Sequence, residues 1–102
     1  DYGPTIILEH QIEDLTFYTL YGHLNTSSIA HCKVGDRVTK GQEIAKYGTY
    51  EENVHWPPHL HFQLILEIGN YKGDYPGVCK PSERKKWLLN CPDPNILIGL
   101  PI

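Results

Sequence analysis

Methionine is absent from the 102 residues, and long apolar runs are missing as well. Clusters such as Ile6–Leu8 and Leu64–Leu66 fall far short of the roughly 20 residues that a membrane helix needs, so no membrane partner is expected. No charged-then-apolar leader opens the chain. An excess of positive charge is lacking too: nine Lys and Arg against twelve Asp and Glu give −3, a poor footprint for binding nucleic acid. Cysteine is scarce and odd in number. Cys32, Cys79 and Cys91 show no C-x-x-C spacing, which excludes a disulfide framework and a four-thiolate zinc site. Three structural thiols in a reducing cytoplasm is the preferred reading, with a Cys79–Cys91 bridge as the alternative. Hydrophobic residues at 40% and charged residues at 21% match globular usage and exclude a disordered or fibrous chain. The length allows a single domain over residues 1–102. With no Met and a strand-like beginning at Asp1, the chain is expected to be an excised piece of a longer one.

What is present reads mainly as β. Pro4–His10 and Leu15–Leu24 have strand composition, joined by the short polar Gln11–Asp14, and Asn25–His31 reads as a polar loop. In Val34–Ala45 two glycines six residues apart bracket a very short strand, with Val34, Val38 and Ile44 expected to point inward. Thr49–Pro58 is a loop, and His59–Glu67 resumes strand composition. Beyond an irregular stretch, Ser82–Leu89 predicts a short helix, and Pro94–Ile102 reads as an apolar tail that docks.

Six histidines in so short a chain stand out. His59 and His61 are two apart in a strand-like segment, so both imidazoles project to one side from Cα atoms about 7 Å apart, while Leu60 can enter the core. Such a pair can serve one metal or reaction centre; the alternative is a solvated pair at a sheet edge. Pro57 and Pro58 exclude a helical His55/His59 metal pair, which leaves His55 in a loop. His23 closes an aromatic strand behind Gly22, where a ligand can approach closely, or else it is structural. His10 and His31 read as solvated.

Tyr2-Gly3 with Ile6-Ile7-Leu8 and His10, then Tyr21-Gly22-His23-Leu24, Val34-Gly35-Asp36-x-Val38, Gly41-Gln42, Ile44, Gly48 and Pro58-His59-Leu60-His61-Phe62 resemble, in content and order, the lysostaphin-type zinc metallopeptidases. The likeness spans about residues 2–66, which leaves 67–102 as a helix-bearing C-terminal extension. Trp56-Pro57-Pro58-His59, the Leu64–Pro81 stretch and Cys91-Pro92-Asp93-Pro94 further resemble the peptidase-like middle region of bacterial kinase-like/peptidase-like/class III aminotransferase fusions.

The resemblance implies a small antiparallel sandwich or barrel of the duplicated hybrid type, incomplete at its N-terminal edge. It implies His61 as a Zn2+ ligand, with His23 and His59 beside the metal as general base or transition-state stabilisers. Zinc lowers the pKa of bound water and polarises an amide carbonyl, and imidazoles can take up the released proton. In the family the other two ligands come from an H-x-x-x-D motif ahead of the first matched strand. The expectation for this chain is therefore one identified ligand, weak or absent zinc, and little activity alone. A three-imidazole site of His23, His59 and His61 is the alternative. Peptide or peptidoglycan-like substrates follow from the resemblance, with the cell envelope as the alternative location, and the unpaired edge predicts self-association. A non-catalytic peptide-binding or structural module in a larger multidomain enzyme is the competing function. The glycine-punctuated segment also resembles biotinyl and lipoyl carrier hairpins around Lys40-Gly41, but those typically place Met beside the lysine.

Overall fold

The computed structural model describes residues 3–53, 55–69, 71, 76–77 and 80–98. The chain is mainly β, with one antiparallel three-stranded sheet and short C-terminal helices. Strands β1 (Ile6–Ile12), β2 (Leu15–Gly22) and β3 (His61–Ile65) lie in the order β1-β2-β3. β1 and β2 form a hairpin whose connection is Glu13-Asp14. Glu13 takes a φ of 53°, the left-handed conformation that two-residue hairpin turns commonly require.

The residues group into two compact units, one with residues up to 6 and 21–61, the other with 7–20 and 62 onward. In the second unit Phe17, Leu20, Leu64 and Ile65 are buried, as is Thr19. His10 belongs there: its ring stacks on Phe17 at 4.9 Å and its Nε2 hydrogen-bonds with the Thr19 hydroxyl at 2.7 Å. It is half-buried and structural, not solvated. The predicted helix appears as a 3-10 turn, Pro81–Glu83, continuing into α2 (Arg84–Asn90). Asn90 fastens this helix to the chain leaving β3. Its backbone carbonyl accepts from Leu66 N–H at 2.8 Å, and its carboxamide accepts from Glu67 N–H and donates to Glu67 O. The Cys91 thiol accepts from the Gln63 amide at 3.2 Å. Cys79, and with it the Cys79–Cys91 alternative, lies outside the described residues. Within the expected docking tail, Asn95–Ile98 forms a short helix, α3, whose Ile96, Leu97 and Ile98 are exposed, while residues 99–102 lie outside the described ones. No helix among the described residues is long and apolar enough to cross a membrane.

Two corrections concern the first unit. Asn25–His31 is not a loop: Asn25 Oδ1 accepts from Ser28 N–H at 2.8 Å and caps the helix α1 (Thr26–Ala30). The glycine-punctuated segment forms no strand, and Val34 and Val38 are exposed, with Ile44 half-buried. The physical reason is local satisfaction of the backbone. Lys33 N–H donates to the Asp36 carboxylate while Asp36 N–H donates back to Lys33 O, and Thr39 and Gln42 repeat the exchange. These side-chain bonds compete with a sheet ladder, and Gly35 and Gly41 turn the chain at φ of 95° and 80°.

The pairing of residues 23–25 with 46–48 organises this unit. Leu24 is buried and forms an antiparallel bridge with Tyr47, Asn25 N–H donates to Lys46 O, and Gly48 N–H donates to His23 O at 2.8 Å. A Cβ on Gly48 would stand 2.9 Å from Leu24 O and 3.3 Å from His23 O, both backbone atoms. Gly48→Ala is therefore predicted to destabilise the chain by about 1–3 kcal/mol, read as a fall of about 4–8 °C in melting temperature per kcal/mol. An unchanged melting temperature would contradict the close approach.

Candidate functional site

His23 follows the last residue of β2 and adopts a φ of 63°. Left-handed backbone is uncommon outside glycine, and histidine is among the residues that tolerate it best. It persists here because the chain is held on either side: Gly48 N–H binds its carbonyl, and Leu24 N–H donates to Pro4 O at 3.1 Å.

The opposing wall is the loop after Gly48. Thr49 N–H donates to Glu52 Oε1 at 3.0 Å and Glu52 N–H donates to Thr49 Oγ1 at 3.3 Å, the reciprocal exchange of a capping box. Glu52 Oε2 also accepts from Thr26 N–H at 2.8 Å, tying the loop to the first turn of α1. Asn53 N–H donates to Thr49 O, His55 N–H to Tyr50 O and Trp56 N–H to Asn53 O. This coil delivers the Asn53 side chain to the interior, where it is 3% exposed.

Asn53 bonds its Oδ1 with His23 Nδ1, and its Nδ2 donates to Pro57 O at 2.9 Å and approaches Trp56 O at 3.4 Å. His59 Nδ1 lies 2.8 Å from the same Pro57 carbonyl. The ring centroids of His23 and His59 are 4.1 Å apart, and those of His23 and His61 6.1 Å. The three histidines singled out by sequence thus meet. His61 opens β3, whereas His59 and Leu60 precede the strand, which is shorter than expected. Leu60 is 40% exposed and not a core residue. His55 is a loop residue at φ 64°, its ring stacked on Tyr50 at 5.2 Å. His31 is exposed at the end of α1. Trp56 is 65% exposed with its ring 6.4 Å from that of His59, and Tyr47 and Tyr50 are exposed in the same unit.

Two residues of this arrangement escaped sequence reasoning. Glu52 had a legible signal, the Thr49-x-x-Glu52 spacing. Asn53 had none, because its partners depend on the loop's path.

Burial pushes the His23 pKa below 6.5, opposed by its bond to Asn53 and reinforced by neighbouring His59 and His61. A neutral imidazole at physiological pH can accept a proton or bind a cation. Among the described residues there is no group of three or more His, Cys, Asp or Glu placed to hold a metal ion. Catalytic zinc takes three protein ligands plus water, so the three-imidazole site does not form there and these residues by themselves do not fit a complete zinc centre. The chain's H-x-x-x-D spacing, His10 to Asp14, falls on the β1–β2 hairpin, with the His10 ring engaged by Phe17 and Thr19 as described.

Hydrogen bonds from Thr26 and Thr49 hold the Glu52 carboxyl down at about 2, against an ordinary 4.5. Its contribution to stability is full above pH 4.5 and is lost as pH falls toward 2, because the unfolded chain takes up that proton first. The lowered His23 pKa acts in the same direction, since stability falls once the pH drops below 6.5. Glu52→Gln is predicted to flatten the acid limb of a stability-versus-pH profile between pH 4.5 and about 2 and to lower stability at neutral pH. An unaltered acid limb would contradict the clamp.

Residues 1–73 match the pattern of peptidase family M23. Neither the comparison with curated proteins nor that with solved structures gives a match.

Proposed function

The chain belongs to peptidase family M23, and from that premise we propose that the His23–His59–His61 cluster belongs to the reaction centre of a domain that hydrolyses peptide amide bonds, peptidoglycan cross-links among them. The observation that carries this reading is the convergence of the three imidazoles, at 4.1 and 6.1 Å between ring centroids. Peptidases of this family are generally zinc-dependent. His61 takes the part of one metal ligand. Of His59 and His23, beside it, one takes the proton of the attacking water on its Nε2, and the imidazolium so formed steadies charge on the amide oxygen and returns the proton to the leaving amine, by direct hydrolysis without a covalent intermediate. The described residues do not complete a metal site. The 102-residue chain alone is expected to bind zinc weakly and to hydrolyse little.

The competing reading is a non-catalytic peptide-binding module within a larger multidomain enzyme of the aminotransferase-fusion type. The exposed Trp56, Tyr47 and Tyr50 favour it, as aromatic surface of the kind that peptide recognition uses.

Zinc titration of the chain followed by histidine NMR separates the two. The hydrolase reading predicts that added Zn2+ shifts the His61 ring signals before those of His31 and His55, and that His61→Ala weakens binding at least about tenfold. Equal, unselective shifts at all histidines, or full affinity retained in His61→Ala, would contradict it.

A further inference from the structure

We infer that Asn53 and the Pro57 carbonyl form a tautomer lock that holds both His23 and His59 protonated on Nδ1, which makes Asn53 a positioning residue for the proposed hydrolysis. The inference rests on that reading for its consequence only. Two backbone carbonyls, Pro57 at 2.9 Å and Trp56 at 3.4 Å, face one end of the Asn53 carboxamide. Carbonyl oxygens only accept, so that end is the NH2 and the end against His23 is the oxygen. An amide oxygen likewise only accepts, and His23 Nδ1 must therefore carry the proton. The same reasoning places a proton on His59 Nδ1, 2.8 Å from Pro57 O. The 3.3 Å approach of Asn53 Nδ2 to His59 Nδ1 is then one between two donors that share the two lone pairs of the Pro57 oxygen.

A neutral imidazole with its proton on Nδ1 carries its lone pair on Nε2. Both rings accordingly offer the same nitrogen, the one remote from Asn53. The sequence prepares this arrangement. Pro58 confines Pro57 to extended backbone, which sets the direction of its carbonyl, and the Thr49–Trp56 coil fixes Asn53 opposite. A group that must take a proton from water, or ligate a cation, works only while its lone pair is on the right atom, and a ring alternating between tautomers spends part of its time disarmed.

The test is 15N-edited NMR of the imidazoles in the metal-free 102-residue chain at about pH 8, where histidine is neutral. The lock predicts that His23 and His59 show a protonated Nδ1 and an unprotonated Nε2, while the exposed His31 shows an averaged pattern. In Asn53→Ala, His23 should move toward the averaged pattern and His59, still held by Pro57, should not. His10, bonded to Thr19, reports whether the fold survives. If Asn53→Ala does not fold, the ring signals of the unsubstituted chain decide. Either ring protonated on Nε2 in the unsubstituted chain, or an unchanged His23 in a folded Asn53→Ala, would overturn the lock. No metal or substrate enters this measurement, so its failure leaves the zinc titration free to stand, and the reverse holds as well.

Discussion

A buried carboxamide that must satisfy both of its ends is the constraint on which the candidate site turns. Asn53 is 3% exposed, and leaving one of its polar atoms without a partner would cost about 1–3 kcal/mol. Its oxygen meets His23, at the end of β2, and its nitrogen meets the Trp56 and Pro57 carbonyls on the approach to β3. Neither neighbour can move without breaking one of those bonds. The site thus inherits its geometry from a network in which each member has a specified partner, the condition under which buried polar groups rigidify a structure.

Backbone devices carry the network. The close approach of Gly48 to residues 23 and 24 leaves no room for a side chain, and it supports His23 in a left-handed conformation that few residues adopt. Glu52 links the Asn53 loop to the start of α1 through a carboxylate that accepts from Thr26 and Thr49. An uncommon backbone angle, a glycine contact and a charged clamp converge on one imidazole, and such concentration of constraint is a recurrent mark of functional positions.

The sequence showed most plainly what repeats or alternates. Strand composition identified β1 and β2 to within a few residues, and the proline-led segment at 81 identified α2, because apolar periodicity and helix breakers act locally. The H-x-H pair and the His23 motif were legible as a set, and the rings do meet. Less legible were features decided by competition between local and distant hydrogen bonds. Asp36 and Gln42 capture their own backbone and cancel the strand that Val34 and Val38 suggested. Asn25 caps a helix where only a polar loop was visible. Asn53 carries no pattern at all, since its value lies in contacts with residues 30 and 4 positions away along the chain. Membership of family M23, matched over residues 1–73, accords with the ordered motif set.

Three imidazoles from separate stretches of chain share one neighbourhood. Nuclear Overhauser contacts between ring protons in the folded, metal-free chain test it most directly. Ring centroids 4.1 and 6.1 Å apart predict strong cross-peaks between His23 and His59, weaker ones between His23 and His61, and their disappearance on unfolding. A folded chain in which His23 shows ring contacts to neither His59 nor His61 would contradict it.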